Sequence, residues 1–561
     1  MESILQRWVP AFDWLRKYKS KNLRGDAIAG ITTAVMLIPQ AMAYALLAGL
    51  PPVIGLYASI VPLLVYAMFG TSRQLAVGPV AMVALLVASG IGSMVTPGDI
   101  GTYVELTILL TLLVGVIQLA MGVFRLGFMT NFLSHPVISG FTSAAALIIG
   151  FSQLKHIVGI NLPRSENILK TIYLTFQQAS DINPVTLIMG LITIVFLIFA
   201  RKISPLLPGA LIIVIISSLI TWFWDLKKLG VSIVGEIPAG LPPFSVPSIQ
   251  LEELGALLPI ALTISFVGFM ESIAVGKQIA TEKQYEIDAN QELVALGAAN
   301  LFGAFFKSMP VTGGFSRTAV NKDAGANTSL AGIITALVIA IVLLFFTPLL
   351  YFLPKSILGA IIMVAVFGLI DLHEVTYLWK VKRDDLVLLL ITFFATLGFG
   401  VMEGIFTGIG ISMFWFVVKT TRPHYAVLGK LPNRNDYRNI KRHTTQTDES
   451  ILVIRFDAQF YYGNVSFLKE TLKKTEIKKG AQLKSIVIDA GSVNQLDSSA
   501  ARALEEIANE YRTRNINLYF ANVKGPVLDV MKRSGVYEML GDDCCYKNVH
   551  EAVEAAKTKK S

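Results

Sequence analysis

Charged residues and cysteines are both scarce in this chain. Only 16% of its 561 residues are Asp, Glu, Lys or Arg, and 53% are hydrophobic, whereas soluble proteins carry roughly 25% charged residues. Because so little charge could not cover a globule of this length, a soluble multi-domain enzyme is excluded as the default, and a polytopic membrane protein is favoured. The two cysteines, Cys544 and Cys545, are adjacent and could form only a strained vicinal bridge, which favours a reducing compartment for that end.

Several motifs of enzymes are also missing. The sequence shows no spacing typical of metal ligands, no G-x-S-x-G and no glycine-rich phosphate loop. We therefore predict no metal site, no cofactor and no enzymatic activity. The net charge of +9 is not an indication of nucleic-acid binding, because six basic residues lie within 1–26, next to the first apolar run. The positive-inside rule places this N-terminal segment, 1–26, in the cytoplasm.

Long apolar runs are the dominant feature of the first 420 residues. No charged residue occurs in 27–72, and since roughly 20 residues span the hydrocarbon core, this stretch predicts two spans joined by a turn at 49–52. The further apolar runs are 79–95, 104–124, 132–151, 184–201, 206–223, 256–279, 290–306, 314–322, 328–350, 355–371, 384–400 and 402–419. We predict about fourteen spans in a transport domain covering 27–422, with the lipid bilayer as its surroundings. An even count returns the chain to the cytoplasm.

Two of these segments are short and open with Gly or Pro, near 76–80 and near 311–317. Short, interrupted segments in corresponding positions of two halves point to a transporter binding site. Gly78 and Gly314 are 314 − 78 = 236 residues apart.

A second pair of landmarks gives nearly the same offset. Gln40 and Glu271 are 271 − 40 = 231 residues apart, each two spans before its short segment. The similar offsets predict two repeats of seven spans, about 27–223 and 256–420.

The two short segments could together bind an anion. A half-helix that begins inside the membrane has backbone N–H groups without intrahelical acceptors, and its dipole places about half a positive charge there. Two such ends and the guanidinium of Arg317 would suit a small anion, a dianion in particular. Ser316 would add a hydroxyl donor. Gln40 and Tyr44 share one helical face and could contribute a polar head and an aromatic wall, or could simply pack between helices.

Glu271 lies in the middle of an apolar span. An ionisable residue there is costly and is a functional hypothesis by default. Its carboxylate could exchange a proton or a sodium ion as access alternates. The alternative is a structural ion pair with Arg317.

The composition changes near residue 436. Runs typical of strands alternate with helical stretches, which predicts a small α/β domain. The predicted strands are 451–456, 485–489 and 517–521, and the predicted helices are 464–475 and 498–513. The predicted boundaries are a linker at 423–436, the α/β domain at 437–555 and a tail at 556–561.

Five motifs of the membrane region resemble those of the SulP anion permeases, also called solute carrier family 26. They read PQAMAYA and GLPPVIGLY (39–45 and 49–57), GTSRQLAVGP (70–79), IDANQEL (287–293) and PVTGGFSRTAVN (310–321). The resemblance implies fourteen spans in two inverted repeats, a core domain that moves against a gate domain, and an anion held between the two half-helices. The implied substrate-binding residues are Gln40, Tyr44, Gly78, Pro79, Val80, Gly314, Phe315, Ser316 and Arg317.

The resemblance also bears on the substrate. In members that transport sulfate, a glutamate at the position of Glu271 is tied to proton coupling, so proton-coupled sulfate uptake is the leading prediction. Some members carry an aromatic residue where Val80 stands, which leaves the anion size open. The alternatives are sodium- or proton-coupled transport of bicarbonate or a dicarboxylate, and a scaffold that acts through its C-terminal domain.

That C-terminal domain resembles the STAS fold at residues 489–500, DAGSVNQLDSSA. In regulators with this fold a serine here is phosphorylated, which makes Ser498 and Ser499 possible regulatory sites. Ala500 departs from the glycine usual in those regulators, and capping of the helix by Asp497 or Ser498 is the alternative. The family resemblance further implies a homodimer, a multi-pass location in the plasma membrane and a cytoplasmic STAS domain.

Overall fold

The computed structural model describes residues 9–96, 98–128, 134–160, 168–204, 208–248 and 251–558. Residues 1–8 of the predicted N-terminal segment and 559–561 of the predicted tail lie outside the described residues. The chain divides into two compact units, Met1–Ser412 and Met413–Ser561. We call them the membrane unit and the C-terminal unit.

The first half of the membrane unit consists of helices and one two-residue strand. Its elements are α1 (Ala11–Arg16), α2 (Leu23–Ala48), α3 (Pro52–Tyr57), α4 (Val61–Phe69), β1 (Val77–Gly78), α5 (Ala81–Gly92), α6 (Ile100–Val123), α7 (His135–Ser152), α8 (Leu154–Val158), α9 (Ile168–Gln177), α10 (Pro184–Ile203) and α11 (Gly209–Phe223). The predicted turn at 49–52 is confirmed: Gly49 ends α2 with a φ of 87°, which glycine adopts without steric cost.

The second half repeats this order of elements. It contains α12 (Leu251–Glu282), α13 (Ala289–Ala304), β2 (Thr312–Gly313), α14 (Phe315–Asp323), α15 (Leu330–Ile341), α16 (Lys355–Phe367), α17 (Leu372–Val381), α18 (Arg383–Phe399) and α19 (Val401–Thr421). In both halves a long helix and a second helix precede a two-residue strand and a short helix. Among the described residues, eight helices are long and apolar enough to cross a membrane, and three shorter apolar helices accompany them. This inventory is consistent with fourteen spans.

The two halves meet at β1 and β2, which pair antiparallel. Val77 lies opposite Gly313, and Gly78 lies opposite Thr312. Because the strands run in opposite directions, the short helices that follow them also leave the junction in opposite directions, as an inverted repeat requires.

Two glycines let α6 and α13 approach closely. A Cβ atom added at Gly115 would lie 2.4 Å from the backbone nitrogen of Leu301, and one added at Gly297 would lie 2.4 Å from that of Leu119. Small residues at a helix–helix contact allow this backbone proximity, which is typical of membrane proteins. The second repeat is thereby packed against the first.

The C-terminal unit contains a six-stranded sheet in the order β4-β3-β5-β6-β7-β8. Its elements are β3 (Tyr425–Lys430), β4 (Tyr437–Asn439), β5 (Ile451–Phe456), α20 (Val465–Lys479), β6 (Ser485–Asp489), α21 (Ser498–Thr513), β7 (Asn517–Ala521), α22 (Gly525–Arg533), α23 (Val536–Leu540), β8 (Cys545–Tyr546) and α24 (Val549–Thr558). β3 is antiparallel to β4 and β5, and the strands from β5 to β8 are parallel. The three predicted strands and the helix at 498–513 are confirmed at their predicted bounds.

Two predicted boundaries need correction. The range 423–436, predicted as a linker, contains β3, which hydrogen-bonds to the centre of the sheet, so the fold of the C-terminal unit begins before 437. The N-terminal segment 1–26 was predicted to end before the first span, yet α2 begins at Leu23. Asp26 is consequently fully buried in the first turn of α2.

Candidate functional site

The candidate site is the junction where β1 and β2 pair. α5 begins directly after Val80, and α14 begins directly after Gly314; both of these N-cap residues are extended, and no side chain caps either helix. The first N–H groups of a helix have no intrahelical acceptor, and they carry a partial positive charge. Two positively polarised helix ends therefore point at the junction from opposite directions.

The guanidinium of Arg317 returns from α14 to the same place. Arg317 is 1% exposed, and its Nη1 donates to the carbonyl oxygen of Pro79. Its Nε and Nη2 have no hydrogen-bond partner among the described residues. A Cβ atom added at Gly314 would lie 2.8 Å from Nη2, and one at Gly78 would lie 3.5 Å away, so glycine at 314 makes room for the guanidinium. Two unpartnered donors on a buried cation are the kind of group that a ligand can satisfy.

Glu271, Tyr44 and Gln40 approach this junction from two long helices. Tyr44 and Glu271 are both within electrostatic range of Arg317. Glu271 is half-buried, and no ion pair links it to Arg317 within the described part of the chain. Gln40 and Tyr44 are each 6% exposed, and the buried Oε1 atom of Gln40 has no hydrogen-bond partner in the part of the chain that the structure describes.

The remaining predicted site residues differ in accessibility. Pro79 and Val80 are buried at the start of α5, whereas Phe315 is 48% exposed and Ser316 is exposed at the start of α14. The structure thus brings all the predicted substrate-binding residues and Glu271 to one junction, with one side of α14 open.

A chain of hydrogen bonds fixes β2 to the helix that carries Glu271. The hydroxyl of Thr312 donates to the carbonyl oxygen of Gly268, and the hydroxyls of Ser272 and Thr312 are 2.7 Å apart. Ser272 Oγ also accepts from the backbone N–H of Gly313 at 2.7 Å. Sequence reasoning missed Ser272 and Thr312. The sequence signal that could have identified them is their position, because Ser272 directly follows Glu271 and Thr312 lies within the PVTGG motif.

A second set of bonds fixes β1 to α14. The backbone N–H of Ala76 donates to Thr318 Oγ1 at 3.1 Å, and that hydroxyl donates to the carbonyl oxygen of Gly314 at 2.7 Å. Asn321 Nδ2 donates to the carbonyl oxygen of Gln74 at 2.9 Å. These bonds hold the two N-cap residues, and hence the two helix ends, in a fixed relation.

Sequence reasoning also missed the roles of two buried carboxylates. Glu292 is 1% exposed and accepts from Tyr66 Oη at 2.6 Å, from Thr71 N at 2.7 Å and Oγ1 at 2.5 Å, and from Ser72 N at 2.9 Å. It therefore anchors the loop that leads into β1. Nearby, the side chain of Asp288 caps α13 by accepting from the backbone N–H groups of Asn290 and Gln291.

Asp26 also anchors a loop beside the junction. It accepts from Asn327 N at 2.6 Å, from Thr328 N at 3.0 Å and from Thr328 Oγ1 at 2.7 Å. These residues belong to the loop that leaves α14. We call Glu292 and Asp26 the bonded carboxylates.

In the C-terminal unit, Ser498 and Ser499 are exposed in the first turn of α21. Asp497, rather than Ser498, is the N-cap: its carboxylate accepts from Ala500 N at 2.7 Å and from Tyr462 N at 2.9 Å. The regulatory role of the two serines stays a prediction.

Comparisons with known proteins show the family of the chain. Residues 23–392 match the sulfate permease family, and residues 442–552 match the STAS domain. The chain is 40% identical to sulfate transporter 4.1, chloroplastic, of Arabidopsis thaliana, over 97% of this chain and 82% of that protein. It is 35% identical to high affinity sulfate transporter 2 of Stylosanthes hamata, over 98% of this chain and 86% of that protein.

Solved structures extend the match to the fold. The murine Solute Carrier 26 family member A9 anion transporter, in the inward-facing state, aligns with a TM-score of 0.93 and 26% identity over 100% of this chain and 95% of that one. The transmembrane domain of a cyanobacterial bicarbonate transporter shares the fold, with a TM-score of 0.61 and 24% identity over 71% of this chain and 98% of that one. The predicted fold class, a polytopic helical membrane protein with a STAS domain, is confirmed. The chain is a multi-pass membrane protein that belongs to the sulfate permease family.

Proposed function

We propose that this protein takes up sulfate together with protons by alternating access, as its core domain moves against its gate domain. The observation that carries the proposal is the buried guanidinium of Arg317: among the residues that the structure describes, two of its donors have no partner, and no side chain caps the two helix ends beside it. The sulfate transporters among its relatives support sulfate as the anion.

The charges at the junction favour a dianion. Each helix end contributes about half a positive charge, and Arg317 contributes one, for a sum of about +2. Sulfate balances this sum when Glu271 is neutral, whereas an ionised Glu271 leaves about +1. A proton on Glu271 therefore improves the electrostatic fit for sulfate, which is how uptake of the two would be coupled.

The residues around Glu271 support a coupling role. Glu271 makes no hydrogen bond or ion pair in the described part of the chain, so its protonation state is free to respond to the ligand and to the side from which the site is open. Ser272, its neighbour, holds β2 in place, so a change at Glu271 acts on a helix that is fixed to the binding junction.

Radiolabelled sulfate flux in proteoliposomes tests the proposal. We expect an imposed inward proton gradient to drive uptake and an imposed sodium gradient without a proton gradient to leave it unchanged. Bicarbonate uptake driven by sodium, with no sulfate uptake under either gradient, would contradict the proposal and favour a bicarbonate transporter.

Two substitutions of basic residues in α14 test the location of the site. Arg317→Ala should lower sulfate uptake roughly 10- to 150-fold, since a charged hydrogen-bonding partner is worth about 1.5–3 kcal/mol and about 1.4 kcal/mol corresponds to a factor of ten. Lys322→Ala, on the same helix, is the matched control, because Lys322 pairs with Glu282 and Asp323 at the surface. Equal uptake by wild type and Arg317→Ala would contradict the site.

The location and assembly are part of the same proposal. We propose a homodimer in the plasma membrane with the N-terminus and the STAS domain in the cytoplasm. The chain has only two cysteines, both in the C-terminal unit, and Cys545 is the more exposed of them, so a membrane-impermeant maleimide should label Cys545 in permeabilised cells but not in intact ones. Light scattering of the detergent-solubilised protein measures the number of subunits.

A further inference from the structure

The adjacent cysteines lie where the last strand of the C-terminal sheet begins. Cys544 ends the 3-10 turn Asp542–Cys544, and Cys545 opens β8. Successive side chains of a strand point to opposite faces, which keeps neighbouring side chains apart. Here the chain changes from turn to strand between the two residues, and the two Sγ atoms converge to 3.4 Å.

The two thiols differ in accessibility. Cys544 is 1% exposed, whereas Cys545 is half-buried at the edge of the sheet, where it pairs with Phe520 of β7. The hydrogen bond from Cys544 lowers the pKa of Cys545; burial opposes this effect, and the ammonium group of Lys532 adds to it. Cys545 is therefore the thiol that a reagent reaches and the one with more thiolate character.

We propose that Cys544 and Cys545 form a modification site of the STAS domain, at which a hydroperoxide oxidises the two thiols to a vicinal disulfide and a dithiol reductant restores them. The Cys545 thiolate attacks the terminal oxygen of the hydroperoxide, which gives a sulfenic acid and an alcohol after proton uptake. The thiol of Cys544 then attacks the Cys545 sulfur and displaces water. In sum, two thiols and one hydroperoxide give one disulfide, one alcohol and one water, or two waters if the oxidant is hydrogen peroxide.

The geometry makes this bond accessible and also labile. The sulfurs must approach by about 1.3 Å to reach the bonding distance of about 2.05 Å. Adjacent Cα atoms are about 3.8 Å apart across a trans peptide, which is shorter than the roughly 4.4 Å minimum of ordinary disulfides. A bridge here is strained, and strained disulfides are the more easily reduced, regulatory ones. The pair should therefore be reduced at rest in the cytosol and oxidised only transiently.

Mass spectrometry of the full-length protein tests the proposal directly. The chain has no other cysteine, and trypsin releases both in one peptide, residues 534–547, because Arg533 and Lys547 flank it. After brief treatment with hydrogen peroxide we expect this peptide to lose the mass of two hydrogen atoms and to resist iodoacetamide. Dithiothreitol should restore both thiols. A peptide that ends as sulfinic acid at Cys545, with Cys544 free, or a disulfide between two chains, would overturn the proposal.

A trivalent arsenical tests the proximity of the thiols without oxidation. Phenylarsine oxide should protect both cysteines of the unmodified protein from iodoacetamide, and a dithiol should reverse the protection whereas a monothiol should not. Failure to protect would show that the sulfurs do not act as a pair.

The variant Cys544→Ser separates the two steps. In this variant Cys545 should stop at the sulfenic acid, which dimedone traps, and phenylarsine oxide should no longer protect it. Wild-type sulfate uptake by the variant shows that it is folded. If Cys544→Ser does not fold, the arsenical experiment on the unmodified chain still decides the proposal.

Discussion

Two kinds of buried charge lie in the membrane unit, and they differ in how well they are bonded. The bonded carboxylates, Glu292 and Asp26, each accept several hydrogen bonds from the loops beside the junction. Arg317 is just as buried, but within the described ranges two of its donors have no partner and Glu271 forms no ion pair with it. A buried charge whose hydrogen bonds are all satisfied stabilises the fold, whereas one with unsatisfied donors or acceptors is available to a ligand or a proton. The comparison separates structural from functional charge within one unit.

The largest expected effect is on stability. Glu292→Ala should destabilise the protein by about 3 kcal/mol, because it leaves the buried hydroxyl of Tyr66 and the backbone N–H groups of Thr71 and Ser72 without an acceptor. A lower Tm of the detergent-solubilised protein would report this loss. Glu286→Ala, at an exposed position in the neighbouring loop, should leave Tm unchanged. A Tm equal to that of wild type in Glu292→Ala would remove the distinction between the two kinds of charge.

Glu271→Gln should have the opposite signature. We expect its free energy of unfolding to change by no more than about 0.5 kcal/mol, as for ordinary surface substitutions, so that Tm stays close to that of wild type. The acceleration of sulfate uptake by a proton gradient should be lost. Glu282→Gln, at the exposed end of the same helix, should retain that acceleration. Uptake by Glu271→Gln that still responds to the proton gradient would show that this carboxylate does not carry the proton.

Gly314→Ala should weaken sulfate binding without abolishing transport. The new methyl group would lie 2.8 Å from Nη2 of Arg317, so the guanidinium has to shift away from the junction. We expect KM for sulfate to rise roughly tenfold, which corresponds to about 1.4 kcal/mol. Gly332→Ala, where the nearest atom is 3.5 Å away, is the control and should leave KM unchanged. A wild-type KM in Gly314→Ala would indicate that the anion does not contact Arg317 here.

The smallest effect is expected for a partly exposed charge in the C-terminal unit. Burial tends to raise the pKa of Asp457, but hydrogen bonds from Arg455 at 2.6 Å and with His424 at 2.7 Å outweigh burial, so its pKa lies below the usual value. The stabilisation is present above the unfolded-state pKa of about 3.9 and disappears as pH falls through the lower folded-state value.

Asp457→Asn should therefore destabilise the C-terminal unit by about 1 kcal/mol at neutral pH, and the difference from wild type should shrink below about pH 4. Thermal unfolding at several pH values measures it, with the exposed Asp529→Asn as the control. A difference that is independent of pH would assign the effect to packing.

Some elements of the fold could be predicted from the sequence at their exact bounds, whereas others were missed. The strands at 451–456, 485–489 and 517–521 were predicted at their bounds because each is a short apolar run between turn signals. β3 was missed, since Gly429 and a charged residue interrupt its apolar pattern. The correspondence of the two short segments could be predicted from two landmarks in each repeat, because a helix that opens with Gly or Pro inside an apolar stretch is visible in the sequence. The substrate-binding role of the residues there stays a prediction.

The bonding state of each buried charge could not be predicted. Glu292 and Glu271 are both glutamates beside apolar stretches, and only the tertiary structure shows that Tyr66 and Thr71 reach one of them and not the other. Hydrogen bonds between residues more than 200 positions apart leave no periodic signal in a single sequence. Thr312 and Ser272 are only 40 positions apart, but they lie on different elements, and a hydrogen bond between two such hydroxyls likewise leaves no periodic signal.

The pairing of β1 with β2 has a mechanical consequence. Two residue pairs join a segment of one repeat to a segment of the other, and a ladder this short would separate if either half-helix slid alone. With the anion bound at this junction, as we propose, it would move together with both half-helices, and the surface along which they slide would lie outside the paired strands.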